Sequence, residues 1–172
     1  MKQTFFGLIA ILVLMSAGTT SADPGIGWSA NKDIVQQYFQ KFNSGDIDGV
    51  RKTFTPDGEV EGVMGWGTVD SFLPIWKQKV ESLGIHLTVD EIISEGDFVA
   101  VRLTEKGISR APFFGHPATG KLYQLFAMEW FEIKDGKIRR RWAARDAASQ
   151  ARQLGWNTAA GAGDVKLPAA TR

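Results

Sequence analysis

Residues 114–155 read FGHPATGKLYQLFAMEWFEIKDGKIRRRWAARDAASQARQLG. A loop punctuated by Gly115, Pro117 and Gly120 feeds a long apolar segment, Leu122 to Ile133. Lys134-Asp135-Gly136 is turn chemistry, and Ile138 to Arg145 returns as a second strand. Asp146 then precedes Ala147-Ala148-Ser149-Gln150, a good helix start, and the helix ends at Gln153-Leu154-Gly155.

Upstream, the period of two continues. His86 to Ser94 carries Leu87, Val89 and Ile93 on one side; Glu95-Gly96-Asp97 turns the chain; Phe98 to Arg110 carries Val99, Val101 and Leu103 on one face. Earlier still the period is helical. Val69, Phe72, Leu73, Trp76, Val80 and Leu83 mark a helix closed by Gly84, with Pro74 in its first turn if Asp70 or Ser71 caps it. Before it lie a short strand, Gly58 to Val63, and a flexible Gly-rich loop carrying Trp66. Ile47, Val50 and Phe54 form a short helix capped by Asp46 and stopped by Pro56. Ile34, Val35, Tyr38, Phe39 and Phe42 form the first helix, capped by Asn31 or Asp33 and ended by Gly45. Helices followed by a run of antiparallel strands predict an α+β domain with helices packed on one face of a curved sheet.

The stretch 114–155 resembles the C-terminal half of the SnoaL-like polyketide (ester) cyclases, within the nuclear-transport-factor-2-like superfamily. Gly115, Pro117, Thr119-Gly120-Lys121, Asp135-Gly136-Lys137-Ile138, Trp142, Asp146 and Gln153-Leu154-Gly155 carry the likeness, which extends over about residues 31–156. It implies a cone-like curved antiparallel sheet with helices on the concave side, enclosing a pocket. It also implies acid/base chemistry of the cyclase or isomerase type, without a cofactor, on a polyketide-like or cyclic carbonyl compound.

The termini read differently. Lys2, the uncharged run Phe5 to Met15 and the small residues Thr20-Ser21-Ala22 have the order of a secretory signal over residues 1–22. The apolar run is short for a bilayer span, so no membrane span is expected after cleavage. Residues 23–30 read as a lead-in and 157–172 as a disordered tail. The absence of cysteine excludes disulfides, thiolate metal sites, a cysteine nucleophile and a lipoprotein anchor; it is compatible with a periplasmic or secreted protein. The formal charge of +1 includes Lys2. The mature chain is therefore near neutral, with no field favouring nucleic acid.

Face assignment depends on the hairpin. A three-residue loop, Lys134-Asp135-Gly136, sets Ile133 opposite Lys137, and hence Phe131 opposite Arg139, Glu129 opposite Arg141, Ala127 opposite Ala143 and Leu125 opposite Arg145. These share one face; Phe126, Met128, Trp130, Ile138, Arg140 and Trp142 share the other. A two-residue turn on Asp135-Gly136 would shift the register by one and exchange the two sets. The resemblance favours the first register, because it implies a histidine at position 129 and an aspartate at position 143 pointing into the pocket.

Glu129 is the leading candidate. A glutamate among Phe126, Met128, Trp130 and Phe131 is costly unless paired or functional. It is either a structural partner of Arg141 or a polar anchor and general base. Position 143, where the resemblance implies the acid/base aspartate, is Ala143, which cannot move a proton. Position 141, where it implies a histidine, is Arg141, which stays protonated. Asp146 matches the family but reads first as a helix cap. Expected pocket residues are Glu61, Trp66, His116, Tyr123, Phe131 and Ala143, with Glu129, Arg141 and Asp146 as catalytic candidates. No metal-ligand spacing is present, since the two histidines, His86 and His116, stand alone.

Two functions compete: a cofactor-free enzyme in which Glu129 or Glu61 handles a proton beside Arg141, and a binding protein that has lost the catalytic acid. Both take a hydrophobic small molecule. The apolar face of Phe126, Met128 and Trp130 predicts a homodimer through the outer side of the sheet.

Overall fold

The structure, a computed structural model, describes residues 24–156. The expected signal peptide and C-terminal tail lie outside the described residues. The elements run α1 (Pro24–Asn43), α2 (Ile47–Lys52), β1 (Phe54–Gly62), β2 (Gly65–Thr68), α3 (Val69–Leu83), β3 (His86–Glu95), β4 (Phe98–Ile108), β5 (Leu122–Lys134), β6 (Lys137–Arg145) and α4 (Ala147–Leu154). The α+β class and the curved sheet with packed helices are as expected.

Six strands form one sheet in the order β2-β1-β6-β5-β4-β3. One pairing departs from the expected antiparallel arrangement: β1 runs parallel to β6. The chain returns from β4 through the Gly-Pro loop to β5, and β6 then enters between β5 and β1. β5 alternates buried and exposed along most of its length. Its inner face therefore packs against the helices and its outer face does not.

The core between α1, α3 and the sheet is aromatic. Tyr38 sits edge-on to Phe131 at 5.4 Å and to Phe39 at 5.0 Å, and Phe54 and Trp76 close around it at 6.0 and 6.3 Å. These T-shaped contacts are the favoured arrangement of aromatic quadrupoles. Phe131, expected to line the pocket, is fully buried here and belongs to the core.

Several local expectations are corrected. The first helix begins at Pro24, so part of the expected lead-in is helical; Asn31 does not cap it but donates from Nδ2 to the Gly96 carbonyl at 3.1 Å. The Gly-rich loop contains an edge strand, β2, pairing Trp66 with Glu61. Thr68 occupies the N-cap position of α3 without a side-chain capping bond, so Pro74 lies inside the helix rather than in its first turn. The carbonyl that Pro74 leaves without an amide partner is that of Asp70, an exposed residue where water can serve. Asp46 caps α2 as expected, accepting from Gly49 N at 2.8 Å.

The hairpin combines both turn readings. Asp135 and Gly136 both have positive φ, 51° and 72°, and form a two-residue turn that pairs Lys134 with Lys137 and Ile133 with Ile138. A bulge follows between Ile133 and Glu132, with Arg139 as the extra residue. Beyond it the pairs are Glu132–Arg140, Phe131–Arg141, Glu129–Ala143 and Ala127–Arg145. The bulge restores the inward set Arg141, Ala143 and Arg145. It also corrects Ile138, which is fully buried on the inner face. Arg139 and Arg140 both turn outward, to Glu59.

Candidate ligand cavity

A cavity of about 580 Å³ opens between α3, α4 and the sheet. Val60, Gly62, Val63 and Met64 line it from β1 and the turn after it; α3 contributes Phe72, Ile75, Trp76 and Lys79. Phe113, Phe114 and His116 come from the loop before β5, and Ala147, Ala148, Gln150 and Ala151 from α4. Trp156 closes one side, and Arg141, Ala143 and Arg145 of β6 form the floor. The walls are thus largely aromatic and aliphatic and the floor is cationic.

The loop wall is held by stacking. The His116 ring lies on Trp156 at 4.7 Å with 9° between the planes, and Phe113 stacks on the same indole at 6.1 Å. Trp156 Nε1 donates to the Pro117 carbonyl at 3.3 Å. His116 lines the cavity from this loop.

Behind the floor is a small enclosed chamber of about 30 Å³, room for a water. Tyr38, Glu105 and Glu129 line it and do not line the main cavity. Lys79, Arg141, Ala143 and Arg145 separate the two spaces, touching both.

Each buried carboxylate is held by cations. Arg141 donates from Nε to Glu129 at 2.7 Å and also from Nη2, a bidentate pair. The guanidinium lies over the rings of Trp76 and Tyr38 at 5.6 and 5.7 Å. Burial alone would lower the Arg141 pKa, but the Glu129 charge raises it above the usual range. Arg141 is a permanent cation.

Glu105 accepts from Lys79 Nζ at 3.1 Å, from Tyr123 Oη at 2.9 Å and from Arg145 Nε at 3.1 Å and Nη2. Burial pushes its carboxyl up, but Lys79 and Arg145 outweigh this and bring it down to about 2. Burial is also the largest influence on Lys79, and with help from Arg145 it holds the amine down to about 8 against the pull of Glu105. Burial likewise raises the phenols of Tyr38 and Tyr123.

The expected site residues divide. Arg141, Ala143 and His116 line the cavity, and Glu129 stands just behind the floor. Glu61 is exposed on the opposite face, because the inward residue of β1 is Val60. Trp66 lies on β2 across from Glu61 and is not among the lining residues. Tyr123 is buried on the inner face, where its hydroxyl serves Glu105. Asp146 caps α4, accepting from Ser149 N at 2.7 Å.

Sequence reasoning missed Lys79 and Glu105. The signal for Glu105 was present: it continues the inward alternation of Val101 and Leu103 on β4. Lys79 follows Trp76 by three residues on the buried stripe of α3. No group of three or more His, Cys, Asp or Glu residues suited to a metal occurs among the described residues.

Comparison with known proteins places this architecture. The family model of SnoaL-like polyketide cyclases matches residues 32–154. No curated protein matches the chain. Among solved structures, AclR of Streptomyces galilaeus, a candidate hydroxylase, is similar over 74% of this chain and 97% of its own, at 21% identity and a TM-score of 0.69. IdmH of Streptomyces antibioticus, a candidate polyketide cyclase, matches over 73% and 98%, at 25% identity and a TM-score of 0.66. An LEH-like epoxide hydrolase of M. tuberculosis matches over 74% and 91%, at 16% identity and a TM-score of 0.61.

Proposed function

The chain belongs to the SnoaL-like polyketide cyclase family, and from that premise we propose that it is an exported small-molecule-binding protein whose cavity takes a hydrophobic compound without the cyclase proton transfer. One observation carries this reading: no carboxylate lines the main cavity among the described residues. Position 143, on the floor, is alanine. Glu129 is 6% exposed and engaged by both arms of the Arg141 fork, so it has little freedom to take a proton from a ligand. Asp146 is committed to its helix cap.

The test uses two indoles that line the cavity, Trp76 and Trp156. The purified protein should retain a ligand at one per chain in native mass spectrometry, and displacing it should change tryptophan emission. Turnover of a cyclic carbonyl compound that is lost in Glu129→Gln while binding persists would overturn the proposal in favour of catalysis. Export is checked separately, by whether the mature chain begins after Ala22 in the periplasmic or secreted fraction.

We also propose that a second copy of the chain covers the outer face of the sheet. Phe126, Met128 and Trp130 are 62%, 56% and 49% exposed there, and Phe98 packs beside Trp130 at 6.2 Å. A contiguous apolar face of this kind marks an interaction surface.

A further inference from the structure

We infer that the ligand of this cavity is a hydrophobic monoanion, whose carboxylate or comparable oxyanion is held at the floor by Lys79 and Arg141. The inference rests on the small-molecule-binding reading above and names the chemical class that reading leaves open.

The buried cluster carries a surplus of positive charge. Lys79, Arg141 and Arg145 face two carboxylates, Glu105 and Glu129, and all five side chains are 15% exposed or less. One positive charge is left without a counter-charge inside the cluster. A buried unpaired charge is strongly unfavourable, so such a site either sheds a proton or recruits an anion. Water and the protein's own dipoles can carry part of that burden. The asymmetry of the cluster decides where an anion would go: both carboxylates line the chamber behind the floor, whereas all three cations line the cavity.

The cluster also has hydrogen-bond donors to spare. Glu105 already accepts four hydrogen bonds, from Lys79, Tyr123 and two nitrogens of Arg145; this fills a carboxylate. Arg145 gives its remaining arm to Gln150 Oε1 at 3.1 Å. Lys79 gives one of its three N–H groups to Glu105. Arg141 gives Nε and Nη2 to Glu129, and Nη1 makes no hydrogen bond among the described residues. Of the three cations that line the cavity, Arg145 thus has every guanidinium nitrogen engaged, whereas Arg141 keeps Nη1 and Lys79 keeps two N–H groups for a ligand. Phe72, Trp76, Phe113 and Trp156 give the rest of the ligand aromatic walls.

The surplus charge gives affinity a pH signature. The groups around Lys79 are Glu105 on β4, Glu129 and Tyr123 on β5, Arg141 and Arg145 on β6 and Tyr38 on α1, with His116 in the loop wall. Burial holds Lys79 to about 8, and an arriving anion raises it. Anion affinity is then constant below pH 8 and falls as pH rises above 8, until the higher value of the complex is passed.

The experiment compares two dyes of one skeleton, 8-anilinonaphthalene-1-sulfonate and the neutral N-phenyl-1-naphthylamine, on the intact protein. Cavity binding is the part lost in Ala148→Trp, which fills the cavity from an exposed position on α4. The sulfonate should bind more weakly as pH rises from 7 to 9.5, while the neutral dye is unchanged. Lys79→Met should weaken the sulfonate about tenfold, the size of one charge-assisted hydrogen bond, and leave the neutral dye within about twofold. If both dyes occupy the cavity and the wild-type sulfonate affinity does not change with pH, the anion assignment is wrong and the binding reading stands. If neither dye gives an Ala148→Trp-sensitive signal, both fail. The pH series on unmodified protein decides the matter even if Lys79→Met does not fold.

Discussion

Arg141 stands across the β5–β6 ladder from Phe131, yet its guanidinium holds the carboxylate of Glu129, two residues along β5. The pair is diagonal because position 143, directly opposite Glu129, is alanine and leaves the space. Removing one partner strands the other. Glu129→Leu should lower stability by about 3–5 kcal/mol, since it leaves a buried unpaired arginine. The double variant Glu129→Leu with Arg141→Met should cost much less than the sum of the single changes. Urea unfolding of the four proteins measures this; additive effects would mean that the pair is not coupled.

Acid should weaken the fold through Glu105. Its folded-state pKa is about 2 against an ordinary 4.5, so its contribution is complete above pH 4.5 and disappears as pH falls towards 2. The shift corresponds to about 3 kcal/mol as an order of magnitude. Lys79 acts in the opposite sense. Its folded-state value, about 8 against 10.5, means that protonated Lys79 burdens the fold at neutral pH, and stability is regained between pH 8 and 10.5. Urea midpoints followed from pH 2 to 10.5 should show both limbs. Glu105→Gln should flatten the acid limb, and an unchanged acid limb in that variant would assign it to other carboxylates.

Much of this was legible before the structure. The alternation from Leu122 to Ile133 and the Asp-Gly turn located the hairpin, and Asp146 before two alanines located α4. The inward set Glu129, Arg141, Ala143 and Arg145 was also right, but the pairings were displaced by two residues. Three consecutive arginines, Arg139 to Arg141, occupy the bulge, so no change of side-chain type could show where the extra residue lay. Glu61 misled for a related reason: Glu59 and Glu61 share a face whichever way the strand turns, and only packing of Val60 decides it. Lys79 was invisible because a lysine beside an apolar stripe usually reaches water. Its burial depends on Glu105, twenty-six residues away in sequence.

Gly107 is a position where a methyl group has no room. A Cβ there would lie 2.6 Å from the Leu83 carbonyl oxygen and 2.6 Å from the Tyr123 ring. The carbonyl belongs to the end of α3 and the ring carries the hydroxyl bound to Glu105, so neither can retreat cheaply. Gly107→Ala should therefore cost about 1–3 kcal/mol, the range for overpacking. It should also weaken sulfonate binding by disturbing Lys79 through Glu105. Gly96→Ala is the contrast: its φ of +55° makes it strained, but nothing lies within 4 Å. It should cost about 1 kcal/mol and leave the cavity unaffected. Equal effects of the two variants on dye binding would remove the close-packing explanation.

The outer face supplies the last test. Trp130 stands opposite Trp142 on neighbouring strands, and the Arg140 guanidinium lies over the Trp142 ring at 5.3 Å. Exposed Phe126, Met128 and Leu122 extend the apolar surface along β5, and exposed Phe98 extends it onto β4. A stable homodimer needs roughly 800 Å² from each partner, and this stripe gives such an interface an apolar centre. Light scattering at micromolar concentration should return the mass of two chains. Trp130→Glu should return one chain, because a charge at the centre of that interface would be desolvated without a partner. The substitution is on the far side of the sheet from the cavity, so dye binding should survive it. A monomeric wild-type protein would sink the dimer proposal, and loss of dye binding in Trp130→Glu would show that the two faces of the sheet are coupled.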